Sequence, residues 1–282
     1  MEPGKRPSAF ARALAAVLML GVCVAVQAQA GWQQRPAEGR SLPQHAQWLL
    51  AQANQSRREA GAGPLQWDDA LARAALEHCQ RMVAEGEIAH RYGGEASVTD
   101  RTGQAGAHFS LIEENIAVAS SMELIHPGWM NSAEHRRNLL NPAVDRVGIA
   151  VVYGRGMYYA VADYARGVQA FSQAGAEAEV ARLVRASGVA VIADPTDARA
   201  ACAMDRGLPG TVRGGQPLFV MRWQDSDLTQ LPPALKDRLA TGRYKRAAVG
   251  NCPAQTSAGA FTVYRMAVLL YTPGAGDLKP FY

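Results

Sequence analysis

The chain has 282 residues, of which 48% are hydrophobic and 19% charged, and a formal net charge of +4. That length suits two modest domains or one large one, and the composition excludes an intrinsically disordered chain and a polytopic membrane protein. The charge is too small for a nucleic-acid partner, the more so because Lys5, Arg6 and Arg12 against Glu2 lie in a removable leader whose loss leaves +2. Residues 1–30 read as that leader, a secretory signal: a basic start, the apolar run from Ala13 to Val26, then small residues at Ala28 and Ala30. The run is shorter than the roughly 20 residues a membrane-spanning helix needs, so no retained membrane span is expected and the product is expected to be secreted or periplasmic. Leu20-Gly21-Val22-Cys23 only faintly echoes a lipobox, because Val22 is a poor residue before the cysteine.

The mature chain opens with a helix from Pro43 to Arg58, with Ala46, Leu49, Leu50 and Ala53 at helical spacing and Gly61-Ala62-Gly63-Pro64 ending it. After an extended Leu65-Gln66-Trp67, Asp68 is the N-cap of a second helix whose inner face is Leu71, Ala74, Ala75, His78, Cys79, Met82 and Val83. From His90 to His108 periodicity fades and a long loop is predicted. A third helix runs from Ser120 or Ser121 to Trp129, and a fourth from Ser132 to Leu140. Val147–Tyr153 and Met157–Tyr164, separated by Gly154-Arg155-Gly156, then form a β-hairpin. Residues 168–176 are a linker. Beyond it come a helix from Glu177 to Ala186, strands at Val189–Ile192 and Leu218–Trp223, a helix from Pro233 to Thr241 and a strand from Phe261 to Tyr271, a small α+β unit at 177–282. No internal repeat is evident.

Loss of the leader removes Cys23 and leaves Cys79, Cys202 and Cys252, an odd number for an oxidising compartment. One disulfide and one thiol is the simplest outcome. Of the three pairings, Cys202 with Cys252 is favoured because both lie in the C-terminal unit near turn residues, while Cys79 on a helical core face suits an inert buried thiol.

Most catalytic templates are absent: there is no Gly-x-Ser-x-Gly elbow, His-Glu-x-x-His, phosphate-binding glycine loop or Cys-x-x-Cys. A dispersed constellation remains. Of the six histidines, His78 falls on the buried stripe as a hydrogen-bonded core residue, His45 and His108 suit solvated positions, and His126 precedes Pro127 at a helix end. Ser132 as N-cap places Glu134 and His135 in a first helical turn, where the positive helix end favours neutral imidazole, the form that a metal ligand or general base requires. His90 enters the long loop, and Glu113-Glu114 places two carboxylates ahead of an apolar turn.

Several ordered motifs together resemble the CAP superfamily of cysteine-rich secretory, antigen 5 and pathogenesis-related proteins, in its bacterial SCP-like branch. They are Asn54 to Arg57, then Gly63-Pro64-Leu65-Gln66-Trp67-Asp68, then Ala74, His78 and Met82, His90, Glu114-Asn115-Ile116-Ala117, Trp129-x-x-Ser132, His135-Arg136-x-Asn138-Leu139-Leu140-Asn141-Pro142 and Val147-Gly148-Ile149-Ala150. The resemblance spans residues 43–167. It implies an α+β fold, a CAP-type α-β-α sandwich, followed here by the C-terminal α+β unit. It also implies a cleft in which two histidines and two acidic residues face one another, with His90, Glu114 and His135 in matching motif positions; on chemical grounds His90 and His135 are candidate ligands for Zn²⁺. The second glutamate of the family pattern is Ser132 here. Glu134 is the candidate to replace it, with Glu113 as a further cleft neighbour, and Tyr159–Ala165 departs from the family's Gln/Asn-bearing strand. Two imidazoles and one carboxylate make an incomplete zinc shell with room for water. The function implied is that of an extracytoplasmic binding or interaction protein for a small apolar ligand, a metal or an envelope component. The alternative is a secreted metal-dependent or acid/base hydrolase using His90, Glu114 and His135.

Overall fold

The computed structural model describes residues 39–253 and 260–272. The leader and Cys23 lie outside the described residues. Two mixed sheets, each covered by helices, account for the rest.

The first sheet runs β1(Arg40–Ser41)–β4(Arg146–Gly154)–β5(Met157–Gly167)–β3(Phe109–Ala119), with β2(Gln66–Trp67) parallel to the start of β4 and the other pairs antiparallel. On one face lie α1(Pro43–Glu59), α4(Ile125–Asn131) and α5(Ala133–Leu140). Their Ala46, Leu49, Ala53, Ile125, Trp129 and Leu139 pack on Val147, Ile149 and Val151 of β4 and Ala160, Ala162 and Tyr164 of β5. The opposite face carries α2(Asp69–Glu85), whose Ala75, Cys79 and Met82 meet Ala150, Val152, Tyr159 and Val161. Alternation along each strand divides the two cores, as a pleated strand buried on both sides requires. The Asp68 carboxylate accepts from the Ala70 and Leu71 amides at 2.8 and 2.9 Å, and Gly86, left-handed at φ 84°, ends α2.

The second sheet runs β6(Ala190–Val191)–β8(Arg246–Cys252)–β9(Tyr264–Tyr271)–β7(Phe219–Asp225). One face is covered by α6(Gln173–Ala186) and α8(Pro233–Ala240), through Val180, Val184, Leu235 and Leu239 on Val249, Met266, Val268 and Leu270. The other is covered by α7(Thr196–Cys202), through Ala198, Ala201 and Cys202 on Ala248, Ala267 and Leu269.

Six elements differ from expectation, two of them β1, which was not predicted, and α6, which begins at Gln173 within the segment read as a linker instead of at Glu177. The loop predicted over His90–His108 contains α3(Val98–Gln104), capped by Ser97, whose hydroxyl accepts from the Asp100 amide. Its inner face is Arg101 and Thr102 instead of aliphatic residues, so no apolar period betrays it. Glu113-Glu114 lies within the 11-residue β3, not before a turn. Neither α7 nor β8 was predicted, because Thr-Asp-Ala-Arg-Ala-Ala-Cys and Arg-Ala-Ala-Val-Gly-Asn-Cys are short and their small residues carry little periodic signal.

A disulfide joins Cys202 at the end of α7 to Cys252 at the end of β8, with Cα atoms 5.8 Å apart. Cys79 is buried, its Sγ donates to the Tyr159 carbonyl at 3.2 Å, and burial pushes its thiol up to about 12. Thiol titration is therefore expected to find no reactive thiol in the folded protein and one after unfolding. Cleaving the bond, which spans 50 residues, is expected to cost about 4 kcal/mol. Two or more thiols in the unreduced, unfolded chain would contradict this.

Candidate functional site

The helix α2 contributes His78 from its buried face, and His78 in turn holds the segment that follows. Its Nδ1 lies 2.6 Å from Glu95 Oε1 and its Nε2 3.0 Å from the Ala89 carbonyl. Glu95 Oε2 accepts from the Tyr92 amide at 2.9 Å, and the Tyr92 hydroxyl donates to the Glu87 carbonyl at 2.6 Å. The turn carrying His90 is thus fixed to α2 from both sides.

His90 Nδ1 sits 2.7 Å from Oε1 of Glu114, a buried carboxylate on β3. The other oxygen of Glu114 is taken by Arg101, whose Nη2 donates to it from α3. Arg101 is itself buried. Its Nη2 lies 3.9 Å from Oδ1 of Asp163, which stands directly across from Glu114 in the β3–β5 register and is wholly inaccessible. Two carboxyl groups on neighbouring strands therefore share one guanidinium. Like charges so placed repel. Burial lifts the Asp163 carboxyl to about 7, against the opposing pull of Arg101 and His90.

His135 lies in the first turn of α5, beside β3. The Asn115 side chain on β3 donates to the His135 carbonyl at 2.8 Å, and Asn138 donates to Asn115 Oδ1 and to the Glu114 carbonyl at 3.1 and 3.2 Å. Three hydrogen bonds thus register α5 on β3. Burial lowers the pKa of both His90 and His135, with Arg101 adding to the effect at His90 and His90 adding to it at His135. Both rings are held towards the neutral form. Because Glu114 accepts from Nδ1 of His90, the lone pair of that ring is on Nε2, and the side chain is 59% exposed.

His90 and Glu114 are thus in direct contact, and His135 and Glu134 lie within electrostatic reach of His90. Ser132 is the N-cap residue of α5 but makes no side-chain capping bond. Glu113 is not a cleft neighbour. Adjacent strand residues point to opposite faces, and Glu113 accepts from Asn141 at 3.1 Å while Glu114 faces His90. The residues missed in sequence are Arg101, hidden in an unpredicted helix, and Asp163, hidden in an apolar strand. An acidic residue in a strand buried on both faces was the available signal for Asp163.

Glu114 is not placed as a direct zinc ligand. Glu114 has both oxygens engaged, a fixed cation stands beside it, and among the described residues no three His, Cys, Asp or Glu side chains converge as a metal site. The arrangement instead supplies two neutral rings able to donate and accept hydrogen bonds over a charge-compensated floor.

Residues 50–164 match the CAP family, the cysteine-rich secretory protein family. The chain is 29% identical over 113 residues to the uncharacterized protein YkwD of Bacillus subtilis (strain 168), covering 40% of this chain and 44% of YkwD, so it spans less than half of that relative's length. Similar solved structures include an outer surface protein from Borrelia burgdorferi, at 20% identity and TM-score 0.43 over 46% of this chain and 98% of that one. An extracellular protein containing a SCP domain from Bacillus anthracis str. Ames is similar at 27% identity and TM-score 0.40, over 44% of this chain and 41% of that one.

Proposed function

We propose, from the premise that over residues 50–164 the chain belongs to the CAP superfamily in its bacterial SCP-like branch, that it is an extracytoplasmic binding protein. Its ligand is a polar envelope component, read at the His90–His135 cleft by hydrogen bonds and not through a metal. The observation that carries this reading is the Arg101–Glu114 pair, which occupies with a built-in cation the carboxylate that a metal would need. Neutral imidazoles beside a balanced floor suit hydroxyl- and amide-rich polymers better than a free ion or an apolar chain. Among the described residues no helix is long and apolar enough to cross a membrane, and a secretory family fits a place outside the cytoplasm.

Co-sedimentation with purified peptidoglycan sacculi and with phospholipid vesicles tests this. The protein is expected to pellet with sacculi, and the His90→Ala/His135→Ala variant to lose at least about tenfold in affinity, the scale of two lost hydrogen bonds. Calorimetric zinc titration is expected to show no saturable site that depends on these histidines. Zinc binding lost in the double variant, or sedimentation that is absent or unchanged by it, would overturn the reading.

One observation favours a second reading, an acid/base hydrolase. A carboxylate holds Nδ1 of an exposed neutral histidine, leaving Nε2 as a base toward solvent, as a base and its orienting group are arranged in hydrolytic sites. That reading requires soluble product from sacculi, lost in both His90→Ala and Glu114→Gln with the thermal transition unchanged. Binding without product excludes it.

A further inference from the structure

We infer that the unit from α6 to β9 is a second copy of the sandwich that runs from α1 to β5, with the chemistry of the cleft replaced. Setting aside β1 and α3, the first unit reads helix, two-residue strand, helix, strand, helices, strand, strand. The second reads helix, two-residue strand, helix, strand, helix, strand, strand. Strand order agrees as well, β2–β4–β5–β3 against β6–β8–β9–β7. In each unit the two-residue strand alone is parallel, and it pairs onto an arginine that opens the long strand: Gln66 with Arg146, Ala190 with Arg246. The layers correspond too, with α1, α4 and α5 on one face and α2 on the other, against α6 and α8 on one face and α7 on the other.

A close backbone approach fixes the register between the copies. A Cβ on Gly148 would lie 2.0 Å from the Ala72 nitrogen and 2.2 Å from the Leu71 carbonyl carbon. On Gly250 it would lie 2.3 Å from the Arg199 nitrogen and 2.4 Å from the Ala198 carbonyl carbon. These are the third and fourth residues of α2 and of α7, so in both units only glycine lets the helix sit on the strand at the same point. The helix before each short strand also closes at a left-handed glycine, Gly61 at φ 74° and Gly188 at φ 79°.

Aligning the two glycines shows what changed. The row Gly148–Asp163–Glu114 of the first sheet becomes Gly250–Ala267–Arg222 in the second. Arg222 spends its guanidinium on the Ala201 and Gly207 carbonyls, tying the segment after α7 to the sheet. The paired carboxyls are gone, so among the described residues the second unit does not repeat the chemistry of the first.

The same alignment makes a prediction about a pair of first-unit residues that were not used to set it. Cys202 is the seventh residue of α7 and Cys252 lies two past Gly250; their counterparts are Ala75, the seventh residue of α2, and Ala150, two past Gly148. Both alanines are buried in one cluster with Cys79. The test is the Ala75→Cys/Ala150→Cys pair in a Cys79→Ala background, expressed in an oxidising compartment and checked for native circular dichroism. The expected result is no free thiol in the unfolded, unreduced chain; two free thiols would overturn the register. Should the triple variant not fold, Gly148→Ala and Gly250→Ala decide the same point. Each is expected to lower the melting temperature by roughly 5 °C or more, and tolerance of either would overturn the equivalence.

Discussion

Replacing Arg57 with alanine is expected to destabilise the first sandwich by about 4 kcal/mol. Arg57 lies in the last turn of α1 with 1% of its surface exposed. Its Nε donates to the Gly63 carbonyl at 2.6 Å, Nη1 to the Leu139 and Asn141 carbonyls at 2.8 and 2.9 Å, and Nη2 to Val144 at 2.9 Å. One planar fork thus joins the turn after α1 to the segment that closes α5, the helix bearing His135. Alanine would leave the Gly63, Leu139 and Val144 carbonyls without this donor, and Asn141 with only the Val144 amide, in a space made for a guanidinium. Lysine, with a single ammonium, can meet only some of them and is expected to cost about 2 kcal/mol. Urea midpoints at constant m-value measure both. A loss below about 1 kcal/mol for Arg57→Ala would show that water replaces the fork without penalty.

Asp163→Asn is expected to change the shape of the stability profile with pH. The Asp163 carboxyl is lifted to about 7 by burial, whereas in the unfolded chain it titrates near the ordinary 3.8. Between those values the unfolded state releases a proton that the folded state keeps. The stability contributed by this group is therefore complete below pH 4, falls as pH rises towards 7, and is absent above it. Asparagine cannot titrate. Relative to the native protein the variant should gain on the order of 2–4 kcal/mol between pH 4 and pH 8. Arg101 and His90 face Asp163 and oppose the shift, and Glu114 stands across from it, so all three remain in place in both proteins. Parallel profiles would mean that Arg101 keeps Asp163 ionised throughout.

Much of the first unit was legible in the order of its residues. The spacing of Ala46, Leu49 and Ala53, the Asp68 cap and the Gly154-Arg155-Gly156 turn are local signals, and α1, α2 and the β4–β5 hairpin form where they point. His90, Glu114 and His135 came from motif resemblance, not spacing, since the segments between them fold independently of one another. The elements that escaped notice, α3, α7 and β8, bury arginine, threonine, alanine and glycine, whose types carry no periodic hydrophobic signal. Their inner faces exist only because a partner surface covers them.

The sequence by itself determined the helices and strands whose apolar period is strong and the choice of glycine where a chain must turn left-handed, while the family resemblance singled out His90, Glu114 and His135. Only the tertiary structure decided that Arg101 stands between Glu114 and Asp163, that Glu113 faces away, and that two sheets with unlike residues share one strand order. Those facts depend on cross-strand register and helix docking. Both join residues far apart in the chain, and many different side chains satisfy the same close approach.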